Sequence, residues 1–386
     1  MTWGSITTER ISEAETLIDV PLRRDRMQWI EAATRDTVRH FAWGIGDDNP
    51  LWLDVGYGKK SRFGCNLAPP CILYAVDNTV VAPKLSGVQW IYAGTGWTWF
   101  EPILLGDSFT TEVKLIRQEV KHGRRFPLWV LQIGEIRYFN QHRRLIAIAI
   151  GRCARTPRGD KLVQVRGEGA SEGAKPHHYS AEEIDSIERQ ILAEPRRGNR
   201  PLHWDDVAVG DEIPQVVRGP LNLIDIMAWY SAQQGAQPYG GVHGDAVRYR
   251  LKHQDYHLNK VTGAKESAGR GHLEAGTGKD VGMGGAYDIG PQRISWCQHM
   301  LSNWMGDDGF LHTLDVKVEQ PNVVGDTLWW TGKVTGKRML GQYGFVDIEV
   351  RAVNQKQVVS AAGTASVILL TKNQEAVPFP VPERPE

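Results

Sequence analysis

Cysteine is scarce and carries no pattern. Cys65, Cys71, Cys153 and Cys297 are scattered over 386 residues. None forms a Cys-x-x-Cys pair, so the spacing supports neither a disulfide framework nor a zinc site. An excess of one charge is also missing, since 45 Lys+Arg balance 45 Asp+Glu. With no basic run, nothing in the composition calls for a nucleic acid or an anionic membrane as partner. No apolar run nears the ~20 residues that cross a bilayer. The first residues, Met1-Thr2-Trp3-Gly4-Ser5-Ile6, lack a basic segment followed by an apolar one, so no signal peptide is visible. A cytoplasmic protein is the expectation.

What is present fits a soluble protein of two domains. The length is too great for one ordinary core. Hydrophobic content of 41% and charged content of 23% are ordinary for globular chains. Fourteen tryptophans are many, and they imply a wide core or a pocket for a bulky ligand.

Periodicity divides the chain. Residues 1–30 read as helical and partly polar. A helical pattern over 36–45 places Val38, Phe41, Ala42 and Ile45 on one face. It breaks at Gly46-Asp47-Asp48-Asn49-Pro50, where Asn-Pro bars further helix and Asp and Asn fix acceptors in a turn. A glycine-containing loop follows, with Lys59, Lys60 and Arg62, and then Ala68-Pro69-Pro70 could open a buried helix. From Trp90 the period becomes two, through Trp97 and Trp99, then Phe109, Thr111, Val113 and Leu115, and on to residue 150. Residues 157–200 break the pattern and hold a short helix at 181–193.

The second half repeats the first. Residues 222–232 and 291–304 read as helices, and alternation resumes at Leu314, Val316 and Val318. Pro102-Ile103-Leu104-Leu105-Gly106-Asp107 has its counterpart in Pro321-Asn322-Val323-Val324-Gly325-Asp326. Asn140-Gln141 before the last strand of the first half matches Asn354-Gln355 before that of the second. A period near 200 residues means two copies of one domain rather than a solenoid. Helix followed by antiparallel strands makes each copy α+β, and the two sheets could join edges. The divisions expected are 1–157, a linker at 158–200, 201–372 with an insertion at 246–285, and a proline-rich tail at 373–386.

The motif Gly46-Asp47-Asp48-Asn49-Pro50-Leu51-Trp52-Leu53-Asp54, followed by a helix and a sheet with Pro-x-x-x-Gly-Asp, resembles the MaoC-like hydratase/dehydratase family, including its FAS1-type N-terminal dehydratase domain. The resemblance implies a tandem, or double, hot-dog: in each half an antiparallel sheet wraps a central helix. It also implies reversible hydration of a 2-enoyl thioester. In that family an Asp and a His of Asp-x-Asn-Pro-x-His hold one water, and a backbone amide at the central helix N-terminus receives the thioester oxygen. Here Trp52 stands at the histidine position, and indole only donates. Matching Asp36 to Asp225 puts Ala236 opposite Asp47, with Gln237-Pro238 and then His243-Gly244-Asp245. One half keeps the Asp without the His, and the other the His without the Asp. The ordering of readings is a structural first half with an active second half, then a composite site, then no catalysis.

By that resemblance the catalytic candidates are Asp47, Asn49, His243, Asp245, Tyr287 and Asp288. The substrate-binding candidates are Trp52, Gly290, Arg293, Lys59, Lys60 and Arg62, the basic ones meeting coenzyme A phosphates. Lys121, Arg124 and Arg125 are further basic residues of that kind. His299 reads as a hydrogen-bonded core histidine. The insertion, with His253, His257, His272 and Glu274, reads as a lid or pocket wall, and no metal is expected. No cofactor is expected beyond coenzyme A as part of the substrate, and the chain is expected to form a homodimer or to pair with a related hot-dog subunit. The leading function is a hydro-lyase acting on enoyl- or 3-hydroxyacyl-CoA with a bulky acyl group. The alternatives are an acyl-CoA-binding scaffold subunit and a hot-dog thioesterase using Asp47.

Overall fold

Alternating segments become strands. The computed structural model describes residues 4–24, 28–123, 126–157, 177–233, 244–254, 256–259 and 261–383. In the first half β1 (Gln89–Trp99), β2 (Thr110–Lys121), β3 (Trp129–Phe139) and β4 (Leu145–Thr156) pair in the order β2-β3-β4-β1. The second half opens with β5 (Glu212–Arg218). A small hairpin of β6 (Tyr256–Leu258) and β7 (Lys265–Ser267) lies in the insertion. Then come β8 (Phe310–Val318), β9 (Leu328–Leu340), β10 (Tyr343–Asn354) and β11 (Val359–Leu369), ordered β8-β11-β10-β9-β5. The halves meet where β1 pairs antiparallel with β8, from Gly94 opposite Lys317 to Thr98 opposite Thr313. One nine-stranded sheet results, and each half covers an edge of the other.

The helices follow from caps and proline. Among the described residues 1–30 only α1 (Thr8–Glu15) is helical, because Ile18 and Pro21 then bridge to Leu115 and Lys114 along the β2 edge. α2 (Arg35–Gly44) is capped by the Thr34 hydroxyl. After the turn come α3 (Pro50–Leu53) and α4 (Val55–Lys60). The segment expected as a glycine loop is this helix: the Asp54 carboxylate accepts the Gly56 and Tyr57 N–H groups, and the cap overrides the glycines. α5 (Leu73–Val76) follows a 3₁₀ turn at Pro70–Ile72. α6 (Ala181–Leu192) lies where the short helix was expected, and α7 (Leu223–Ala232) has the Asn222/Asp225 capping box. The insertion carries α8 (Gly244–His253) and α9 (Ala275–Asp280).

α10 (Gly290–Met305) is the central helix, and every residue from Pro291 to Met305 is buried. It packs on β1, β5, β8 and β9 and so joins the halves. Its first-half counterpart is shortened to the turn at Pro70 and α5. The helix ends there because Arg24 holds Asp77 at 2.7 and 2.8 Å, and Asp77 turns back to accept the Thr79 N–H. α2 and α7 cross at Gly44, where a Cβ would sit 2.4 Å from the Ala232 methyl, so only glycine permits the approach.

At two turns the duplication extends to hydrogen bonds. Asp107 accepts the Leu104 N–H at 2.8 Å and the Gln141 amide at 3.0 Å. Asp326 accepts the Val323 N–H at 3.0 Å and the Gln355 amide at 2.6 Å. The Asn140 side-chain oxygen accepts the N–H groups of His142 and Arg144, and that of Asn354 those of Lys356 and Val358. The repeated residues therefore close the same turn at the same place in each sheet.

Candidate functional site

Two places stand where a hydratase site is expected, one in each half. The first is the turn after α2. The Asp47 N–H bonds the Ala42 carbonyl at 2.8 Å, which curls the chain back. Asn49 caps α3 by accepting the Leu51 N–H at 3.0 Å. Asp47 is 1% exposed. Its Oδ1 accepts the Asn49 N–H at 3.0 Å, and its Oδ2 accepts the Trp52 indole N–H at 2.9 Å. His299 reaches it from α10, with Nδ1 3.0 Å from Asp47 Oδ1. That approach lacks hydrogen-bond geometry and is an attraction between charges. The His299 Nε2 lies 3.4 Å from Glu194 Oε2 and 3.0 Å from the Asn303 amide. Arg218 donates to Glu194 at 2.6 Å, and Arg196 pairs with Asp48.

Burial would raise the Asp47 carboxyl, but the His299 charge beside it and the bonds from Trp52 and Asn49 hold it below the usual range. Burial would lower His299, yet the Asp47 charge and the carboxylates at both ends raise it against the opposing Arg218. Glu194 is lowered, because His299 and Arg218 outweigh its burial. This is a closed ion cluster. The neighbouring cavity of about 40 Å³ is lined by Asn49, Trp52, Phe63 and Trp99, with neither Asp47 nor His299 in its wall. The sequence showed the place of Asp47 but not the charged residues around it: His299 comes from α10, and Glu194 comes from the stretch read as linker and gives no motif signal.

The second place is the N-terminus of α10. A cavity of about 220 Å³ opens there between the halves. The first half supplies Trp90 and Tyr92 from β1; the second supplies Tyr230, Tyr287, Gly290 and the insertion. No side chain caps α10 at Ile289, so its first amides carry the dipole's positive end uncompensated. Gly290 is required, since a Cβ would lie 2.2 Å from the Tyr92 ring. The Tyr92 hydroxyl is 2.6 Å from Thr95 Oγ1 and 3.0 Å from the Tyr74 hydroxyl. Burial raises both Tyr92 and Tyr230 phenols, keeping them protonated. Asp288 and Arg293 form a buried ion pair, with Arg293 Nε 2.7 Å from Asp288 Oδ2. Arg293 also donates to the carbonyls of Gln320 at 2.7 Å and Ser360 at 2.9 Å. The pair braces the cavity wall.

The structure thus brings Tyr287, Asp288, Gly290 and Arg293 together at one cavity, and Asp47, Asn49 and Trp52 at another place. His243, with 236–238, lies outside the described residues, as do Arg124 and Arg125. Asp245 sits on α8 with its side chain 75% exposed and paired with Arg248. Lys59 and Lys60 are exposed on α4, and Arg62 lies 3.5 Å from Asp308. None of these three basic residues lines the 220 Å³ cavity. Sequence reasoning missed a different basic region. A groove of about 490 Å³ adjoins the cavity, sharing Val80 and Trp90 with it. Arg23, Arg24, Lys84, Arg155, Lys252 and His253 line it, and among the described residues no carboxylate does. Its cations come from segments far apart in sequence, so no local run announces it.

Comparison with known proteins agrees with this architecture. Residues 27–149 match the family model of the FAS1-like dehydratase domain region. No curated protein sequence matches the chain. A solved MaoC-like dehydratase superposes with a TM-score of 0.60 at 15% identity, over 93% of this chain and 99% of its own. A MaoC-like dehydratase from Phytophthora capsici does so with a TM-score of 0.50 at 11% identity, over 89% of this chain and 95% of its own. The chain has the double hot-dog fold of such proteins, and the family match falls within its first half. Among the described residues no helix is long and apolar enough to cross a membrane.

Proposed function

We propose that the chain is a hydro-lyase that adds water to, or removes it from, the 2,3-position of a coenzyme A thioester, and that the reaction takes place at the N-terminus of α10. The observation that carries this reading is the cavity between the halves at an uncapped helix start. Water adding to C3 pushes charge onto the thioester oxygen. The backbone N–H of Gly290, which bonds to no described residue and lies along the helix dipole, is suited to that charge. The match of residues 27–149 to a dehydratase region favours the same reaction class. The aromatic walls, Trp29, Trp90, Tyr92 and Tyr230, suit a bulky acyl group. The basic groove beyond Trp90 suits the phosphates of coenzyme A.

In this reading the Asp47 turn is structural. Its carboxylate faces an indole, an amide and an imidazole rather than a cavity. The test is to incubate the purified protein alone with enoyl-CoA and 3-hydroxyacyl-CoA esters and to follow the enoyl-thioester absorbance and free thiol. Loss of absorbance without thiol is expected. Thiol release would mean a thioesterase, and binding without turnover a scaffold.

A further inference from the structure

A hydratase at this cavity needs a group that takes a proton from water and returns one to C2. In the second half the expected Asp position is Ala236, and in the first half the expected His position is Trp52. The insertion offers another histidine. His272 lies in the 3₁₀ turn at Ala268–His272, between β7 and α9, and lines the cavity that Gly290 also lines. Its Nδ1 is 3.0 Å from the Tyr287 carbonyl oxygen. A carbonyl only accepts, so Nδ1 carries the proton and the neutral ring leaves Nε2 with its lone pair free. The ring packs on Tyr287 with centroids 4.1 Å apart, which holds its orientation. Nε2 has no hydrogen bond to any described residue. It therefore has the tautomer, the support and the position of a general base.

We propose that His272 is the catalytic base of the hydration, supplied by the insertion rather than by the family's turn; this rests on the hydro-lyase reading above. Nε2 removes a proton from water as the oxygen bonds C3. The C2–C3 π pair moves toward the thioester, whose oxygen takes the charge beside the Gly290 amide. The protonated Nε2 then gives its proton to C2, so H and OH are both added and the base is regenerated. Dehydration runs the same steps backwards. Burial, opposed by the backbones of Tyr287 and Asp288 and by the Asp288 charge, holds His272 below the ordinary histidine value, which favours the neutral ring at pH 7. Among the described residues the other ionisable groups of the cavity are Asp288 with its Arg293 partner, His257, Glu319 and the phenols of Tyr92, Tyr230 and Tyr287.

The test uses the full chain with its best enoyl-CoA substrate. His272→Ala and His272→Gln are expected to lower kcat/KM about 100-fold or more, the usual scale of a lost general base. The wild-type profile should rise from acid pH with a midpoint below 6.5, the ordinary value for histidine, and the variants should lack that limb. Added imidazole should restore activity to His272→Ala, which a merely supporting residue would not allow. Variant activity within threefold of wild type, or a loss with the acid limb kept and no imidazole rescue, overturns the assignment. Should His272→Ala not fold, the limb of His272→Gln decides alone. An inactive wild type overturns the hydro-lyase reading itself; an active wild type with a dispensable His272 overturns only this proposal, and loss of activity in His243→Ala would then move the base to His243.

Discussion

Trp52 decides how Asp47 is read. An indole N–H in place of an imidazole gives the carboxylate a donor that cannot release its proton, and His299 supplies the countercharge from the opposite half. The pair is 1% exposed on both sides. Removing one partner of a buried pair strands the other, so His299→Ala should cost about 3–5 kcal/mol in urea unfolding. The dependence on pH has a definite sign. His299 is raised, so its contribution is full below 6.5 and is lost as pH rises through its folded value. Asp47 and Glu194 are lowered, so theirs is full above 3.8 and 4.5 and is lost as pH falls. The gap between wild type and His299→Ala should be widest between pH 4.5 and 6.5 and narrow on both sides. A gap independent of pH would mean that His299 acts by packing alone. The motif showed in sequence where Asp47 sits, because Asn-Pro and Asp act locally. Its charged partner His299 did not show, since it arrives through the tertiary fold.

At the scale of elements, the repeated turns were readable because each is closed by residues a few positions apart. Asn140→Ala and Asn354→Ala remove equivalent bonds, and each should cost about 1–2 kcal/mol. The sites lie in different halves with no shared partner, so the double variant should show the sum within about 0.5 kcal/mol. A strongly non-additive result would argue against two equivalent, independent turns. The central helix was legible in its apolar run and Pro291, and the shortened first-half helix was not. Arg24, far away in sequence, is what stops it at Asp77. The start of α10 makes its own prediction. In Gly290→Ala the new methyl meets the Tyr92 ring at 2.2 Å. An overpacking cost of about 1–3 kcal/mol is expected, with kcat/KM on enoyl-CoA falling about 100-fold as the amide is displaced. Unchanged kinetics would remove Gly290 from the site.

For the whole molecule, the sheet join at β1 and β8 sets the two halves to different work. One turn, with its cluster spanning α2, α6's flank and α10, holds the halves together. The other end of α10, with a β1 wall and an inserted segment, encloses space. The basic groove continues that space outward. Arg23→Ala with Lys84→Ala should raise KM for a coenzyme A ester about tenfold, less at high salt. KM for a short N-acetylcysteamine ester, which has no phosphates, should not change, nor should Lys59→Ala with Lys60→Ala alter either. Equal effects on both esters would place the groove residues in support of the fold instead.

The division of labour between the halves is tested most directly by Asp47→Asn, assayed for enoyl-CoA hydration well below its unfolding temperature. Loss of the charge pair should lower stability by about 3–5 kcal/mol while kcat/KM stays within threefold of wild type. A fall of 100-fold or more in kcat/KM with unfolding unchanged would contradict the account and return the chemistry to the Asp47 turn.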